Sequence, residues 1–190
     1  EAVSGLIPEE TFQVLHGINT DVNVSFDKFY PLLLYRILTA GADQLGNVLS
    51  ATEGLENRVK KAASESVDMD SLIKGILSKR YTYTRVHRLL THILIQLEKE
   101  SFQYILDRHI NYARVLGFSK NGAALLRRIK KEERNSIPIL TNINRETGRD
   151  SEERKLLQFD VTASDIYNLA VYGEVYSRSD YVMKPYKNFG

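Results

Sequence analysis

At 190 residues, with 43% apolar and 26% charged side chains, the chain is long enough for one ordinary core and is neither disordered nor fibrous in composition. No apolar run approaches the roughly 20 residues that span a bilayer, and no basic-then-apolar leader opens the sequence, so the expectation is a cytoplasmic chain without a membrane partner. Cysteine is absent, which excludes disulfides, thiolate nucleophiles and cysteine-ligated zinc, and the net charge of +2 argues neither for nor against a polyanion.

The chain begins at Glu1 and enters mid-pattern at Ile7-Pro8-Glu9-Glu10, as a processed protein or an excised fragment would, and a fragment is the preferred expectation. Pro8 at a first helical turn, with Glu9 and Glu10 behind it, predicts a short helix to about Leu15. Gly17-Ile18-Asn19-Thr20-Asp21 reads as a loop. Ser25 is placed to cap a helix carrying Phe29, Leu32, Leu33 and Ile37 and ending at Ala40, with Pro31 in its first turns. A looser stripe follows, through Leu45, Val48, Leu49, Thr52, Leu55, Val59 and Ala62; Gly46 and Gly54 weaken it and predict a break near Gly54. Asp68 or Asp70 then opens a helix with Leu72, Ile73, Ile76 and Leu77 on one face, ending around Ser78 or Arg80. Val86, Leu89, Leu90, Ile93, Leu94 and Leu97 give the cleanest amphipathic spacing, with Thr82 or Thr84 as N-cap and an extension through Phe102 and Ile105 to about Arg108.

Periodicity then changes. Tyr112 to Gly117 is short and strand-like, Ser119 caps a helix with Ala123, Leu126 and Ile129, and Ile137 to Thr141 is a second short strand. That order suggests a βαβ crossover, with Pro138 favouring an edge or a strand start. Arg145 to Arg154 reads as a polar surface stretch, and a helix is expected from about Thr162 through Val171. The aromatic spacing of the tail, Tyr172, Tyr176, Tyr181, Tyr186 and Phe189, is too irregular to assign. The fold class expected is α+β and mainly helical: a helical body over residues 1–108, then a small αβ element with a C-terminal helix and tail over 109–190.

Charge is distributed unevenly. Between Asp70 and Glu98 there is no acidic residue, while Lys74, Lys79, Arg80, Arg85 and Arg88 supply five positive charges. Arg85 and Arg88 share a helix face, His92 continues it, and a helix N-terminus adds N–H groups suited to phosphate. Tyr81 and Tyr83 could stack on unpaired bases. The plainer reading is a solvated face whose tyrosines fill the core. Arg58, Lys60 and Lys61 form a second basic cluster, and Arg127, Arg128, Lys130 and Lys131 a third, which the dipole of a helix C-terminus explains. Catalytic constellations are scarce. No phosphate loop and no dinucleotide-binding glycine motif occurs, and His16, His87, His92 and His109 make no metal-ligand spacing. Asp160 and Asp165 stand five apart, with capping the stronger reading over an acid–base pair.

The ordered strings carry more than their chemistry. Glu53 to Ala63 (EGLENRVKKAA), Lys79 to Leu90 (KRYTYTRVHRLL), Tyr112 to Phe118, Ile137 to Thr141 and Ala163 to Leu169 (ASDIYNL) together resemble the C-terminal half of the bacterial tRNA(Met) cytidine acetate ligase family. The resemblance implies a nucleotidyltransferase-type ATP-binding domain elsewhere in the protein, using ATP and acetate to form N4-acetylcytidine at the wobble position of elongator tRNA(Met). The His-x-Gly-His and Ser-x-Thr-x-Ile-Arg motifs expected of that domain do not occur here. For this chain it therefore implies no catalytic residue, no metal and no cofactor of its own. It implies tRNA and the N-terminal ATP-binding domain as partners, and leaves room for a homo-oligomer. The RNA-binding residues expected are Lys79, Arg80, Tyr81, Tyr83, Arg85, Arg88, Arg58, Lys60 and Lys61. The alternative is a non-enzymatic helical interaction module that docks an acidic protein.

Overall fold

Apolar spacing dictates the first half of the molecule. The computed structural model describes residues 6–9, 11–13, 25–52, 54–107, 112–132, 137–143 and 151–188, without the side chains of 151–155. Glu10, Leu15, His16, the loop expected over 17–21, Arg108, His109, the stretch from Arg145 to Asp150 and Phe189 lie outside the described residues.

The amide of Phe12 donates to the Pro8 carbonyl at 3.0 Å, the first turn expected after that proline. The Ser25 hydroxyl accepts from the Asp27 amide and starts a 3₁₀ turn over Phe26–Phe29, which runs directly into helix α1 (Tyr30–Thr39). Pro31 occupies the first turn of α1, where a missing N–H breaks no helical bond. The loose stripe breaks earlier than its glycines suggest: α2 (Ala42–Asn47) stops at Val48, and α3 (Leu55–Glu65) starts only after Gly54, whose φ of 77° suits glycine. Asp68 caps α4 (Met69–Ile76), accepting from the Ser71 amide at 2.8 Å, while the Ser71 hydroxyl accepts from the Asp68 amide at 3.1 Å. The Ser71 hydroxyl, which also donates to Asp68 Oδ1 at 2.6 Å, and then the Ser71 amide hold the Asp68 carboxyl below the usual range.

Helix α5 (Tyr83–Leu94) carries the clean amphipathic stripe, but it does not continue to Arg108. The chain turns at Gln96, with φ of 55°, and resumes as α6 (Lys99–Leu106). The connector over 48–50 captures the backbone there. Leu49 donates to the Leu97 carbonyl at 2.8 Å, and His92 Nδ1 lies 3.0 Å from the Leu49 carbonyl and 3.2 Å from Ser50 Oγ. Leu33, Ile37, Leu55, Val59, Leu72, Ile76, Val86 and Leu90 form the dry centre of the body. Gly75 lets α3 and α4 approach: a Cβ there would stand 2.9 Å from the Ala62 Cβ.

After α6 come β1 (Ala113–Arg114), β2 (Gly117–Ser119), α7 (Lys120–Glu132), β3 (Ile139–Leu140), α8 (Ser151–Tyr172) and β4 (Tyr186–Asn188). Strands β1 and β3 pair in parallel, Ala113 opposite Ile139, with Ser119 capping the intervening α7 through the Gly122 amide at 3.2 Å. Pro138 contributes its carbonyl to the Ala113 amide at 2.8 Å and needs no donor of its own. Strand β2 pairs in parallel with β4, so Tyr186 of the unassigned tail belongs to a sheet. Helix α8 is longer than expected, beginning at Ser151 rather than near Thr162. Asp160 and Asp165 consequently lie inside it and cap nothing; Asp160 accepts from the Tyr112 hydroxyl at 2.6 Å. Burial first, then that bond, pushes the Tyr112 phenol up. Ile143, Leu157 and Val161 make a small second core, with Tyr112 and Leu140 against it. No helix of the described residues is long and apolar enough to cross a membrane.

Candidate nucleic-acid interface

The basic stretch is presented by a tight turn between α4 and α5. Ser78 and Tyr81 exchange backbone bonds at 3.1 and 3.2 Å, leaving Lys79 and Arg80 at the exposed tip. Tyr81, only 7% exposed, anchors that turn in the body core. It is therefore no open stacking platform, contrary to the expectation for its ring. Arg85 leans back as well. Its guanidinium lies 5.2 Å from the Tyr81 ring centroid and donates to Thr52 Oγ1 at 2.6 Å. Lys74 pairs with Asp70 at 2.5 Å, so the stretch that is acid-free in sequence has a carboxylate beside it in space.

Lys79, Arg80, Tyr83 and Arg88 are all exposed, as is Lys74 beside its carboxylate. Tyr83 is 59% exposed, in the first turn of α5, and Arg88 is exposed one and a half turns further on. Thr82 holds the N-cap position but its hydroxyl makes no capping bond, so the helix start receives no acceptor from its own N-cap side chain. That differs from the sequence expectation of a threonine cap. It also leaves donor groups and a positive dipole end beside the two cations of the tip.

The second cluster divides. Arg58 donates through Nε to the Ile76 carbonyl at 2.8 Å and through Nη2 to the Leu77 carbonyl at 2.7 Å, closing the end of α4 just before the basic turn. Lys60 donates to the Ala40 carbonyl at the end of α1. Both spend donors on orphan carbonyls of helix ends, though Arg58 stays exposed, as does Lys61. His92, expected on the Arg85 and Arg88 face, is held by Leu49 and Ser50 instead.

One group escaped the sequence reading. The His87 ring sits between Phe26, 4.8 Å away at 29°, and Tyr83, 4.2 Å away at 38°. Its Nε2 is buried with no hydrogen-bond partner among the described residues, and burial pushes the imidazole below its ordinary value. A neutral ring therefore backs Tyr83. The spacing of Tyr83 and His87, one helical turn apart, was the available signal. Among the described residues, no three histidine or acidic side chains cluster as metal ligands would.

The chain matches the family described as HIGH Nucleotidyl Transferase over residues 1–180. It is 32% identical over 183 residues to the tRNA(Met) cytidine acetate ligase of Caldanaerobacter subterraneus subsp. tengcongensis, covering 95% of this chain and 44% of that protein. The ligase of the same name from Lysinibacillus sphaericus is 31% identical over 193 residues, covering 99% of this chain and 45% of its own. The crystal structure of Thermotoga maritima TmcAL bound with alpha-thio ATP shares the fold, with a TM-score of 0.82 at 21% identity over 97% of this chain and 47% of that one. The chain thus spans under half the length of the curated relatives it matches. By the reach of the family match across nearly the whole sequence, this chain belongs to the HIGH nucleotidyl transferase family.

Proposed function

We propose that this chain is the C-terminal, tRNA-engaging part of a tRNA(Met) cytidine acetate ligase, which forms N4-acetylcytidine at the wobble position with ATP and acetate. The observation that carries the reading is the exposed set Lys79, Arg80, Tyr83 and Arg88 at and after the start of α5, where the Thr82 hydroxyl makes no capping bond. Cations and helix N–H groups hold phosphates, and an exposed ring backed by His87 offers a face for an unpaired base. Similarity to ligases that are named for tRNA(Met) over 95% or more of this chain supports the choice of RNA. The sequence contains neither His-x-Gly-His nor Ser-x-Thr-x-Ile-Arg, so acetate activation belongs in this reading to an N-terminal ATP-binding domain of the whole protein.

Electrophoretic mobility of a tRNA transcript with the purified chain tests it. Binding should weaken with salt, and Lys79→Ala with Arg88→Ala should weaken it further, by roughly ten-fold near 0.1 M salt, with a shallower log–log slope. The pure chain given ATP, acetate and tRNA should form no acetylcytidine. Turnover would refute the division of labour. Absence of tRNA binding at low salt would favour a helical module that docks an acidic protein on the same cations.

A further inference from the structure

The third basic cluster has a geometry that a helix dipole does not explain. Arg127 and Lys130, one turn apart on α7, line an open groove of about 560 Å³ whose other cations are Lys184 and Lys187. Thr141 and Asn142 complete its polar lining, and the rest of the wall is apolar; among the described residues no carboxylate lines it. Lys130 reaches the Thr141 hydroxyl at 3.4 Å across that lining. All four cations are exposed.

Position near a helix C-terminus accounts for Lys130 alone. Lys184 and Lys187 come from the far end of the chain and are placed by the pairing of β4 with β2. Gly117 faces Tyr186, whose amide donates to the Leu116 carbonyl at 2.9 Å. A Cβ at Gly117 would stand 3.2 Å from the Tyr186 carbonyl oxygen, so the close docking of this strand uses a glycine. Four like charges converging on one concavity repel each other and favour a polyanion there, because a groove focuses the field.

We propose that this groove binds the phosphodiester backbone of RNA. A free mononucleotide would be largely enclosed by its site. Here the groove is open, with cations on both walls, so a strand can pass through it and meet them in succession. The proposal shares with the proposed function the premise of an RNA ligand and uses none of its residues.

The test is fluorescence anisotropy of a labelled tRNA transcript with the full chain, across salt concentrations. Lys184→Ala with Lys187→Ala should weaken binding roughly ten-fold near 0.1 M salt and make the log–log slope shallower by about 1.5, as losing two phosphate contacts requires. Lys184→Arg with Lys187→Arg should retain the affinity. Should the alanine pair lose its fold by circular dichroism, Arg127→Ala with Lys130→Ala on the exposed face of α7 asks the same question. Unchanged affinity and slope in the folded variants would overturn the proposal, as would displacement of tRNA by millimolar ATP in the parent but not in the variants. Loss confined to the groove variants supports the groove and removes the Lys79 and Arg88 interface. Loss confined to Lys79→Ala with Arg88→Ala does the reverse.

Discussion

Among the described residues, the helical body from Phe26 to Leu106 gathers twenty buried side chains into one cluster, while the αβ element from Tyr112 to Asn188 gathers three into its own. What the second region lacks in apolar burial it replaces with polar ties between distant segments. Arg114 grips Asp180 through Nη1 and Nη2, at 2.9 and 2.6 Å, and Asn168 donates to the Arg178 carbonyl at 2.9 Å. Asp180 itself is only 8% exposed. Burial alone would push its carboxyl up, but hydrogen bonds from Arg114 and Ser164, with the arginine charge, bring it below the ordinary value. The contrast teaches that the two regions answer to different variables: burial is insensitive to pH, and an ion pair is not.

The largest effect should come from the body. Leu33→Ala removes a fully buried side chain from its centre and should cost about 3 kcal/mol, read as a lower urea midpoint. Hydrogen exchange should rise first in α1 and α5; an equal rise in β1 and β3 would break the contrast by showing one cooperative unit. Next in size, Asp180→Asn leaves the Arg114 guanidinium half-paired and should cost about 2–3 kcal/mol, lowering Tm by roughly 5–10 °C. Because the folded carboxyl ionises at lower pH than the unfolded one, this stabilisation is present above about pH 4 and is lost as pH falls through the folded value. The parent protein should therefore lose stability on acidification more steeply than Asp180→Asn; parallel profiles would show that the pair is not what ties the region. Smallest, Gly75→Ala should destabilise by about 1 kcal/mol, against the usual gain in a helix, because the new methyl meets Ala62. A stabilised Gly75→Ala would show that α3 and α4 separate at little cost.

The same division governs how much could be read from the sequence. Helices α1, α4 and α5 were legible because their apolar residues recur at helical spacing and Asp68 or Ser25 marks a start. The strand–helix–strand order around α7 was legible from the change of period and Ser119. The break after Leu94 was not, since Leu97, Phe102 and Ile105 keep the spacing while the deciding bonds come from Leu49 and Ser50, far upstream. Nor was β4, three exposed residues whose only reason to be a strand is a partner at Gly117 to Ser119. At the candidate interface, residue type identified the cations. Which of them face solvent depended on carbonyl ends and on Thr52, and those are tertiary facts. Tyr81 and Tyr83 illustrate the limit: two residues apart and chemically identical, one is an anchor and the other an exposed ring.

The parallel pairing of β2 with β4 also sets an order of events in time. Gly117 meets Tyr186 only after roughly 70 residues of intervening chain have been drawn into a closed loop, whereas in the body α3 packs against α2 and α4, its neighbours in sequence. The body can consolidate quickly from local pairs, and Lys184 and Lys187 reach their places opposite Arg127 and Lys130 in one of the slowest steps. A nascent chain would thus carry a formed helical body, with its basic turn already displayed, before its cationic groove exists.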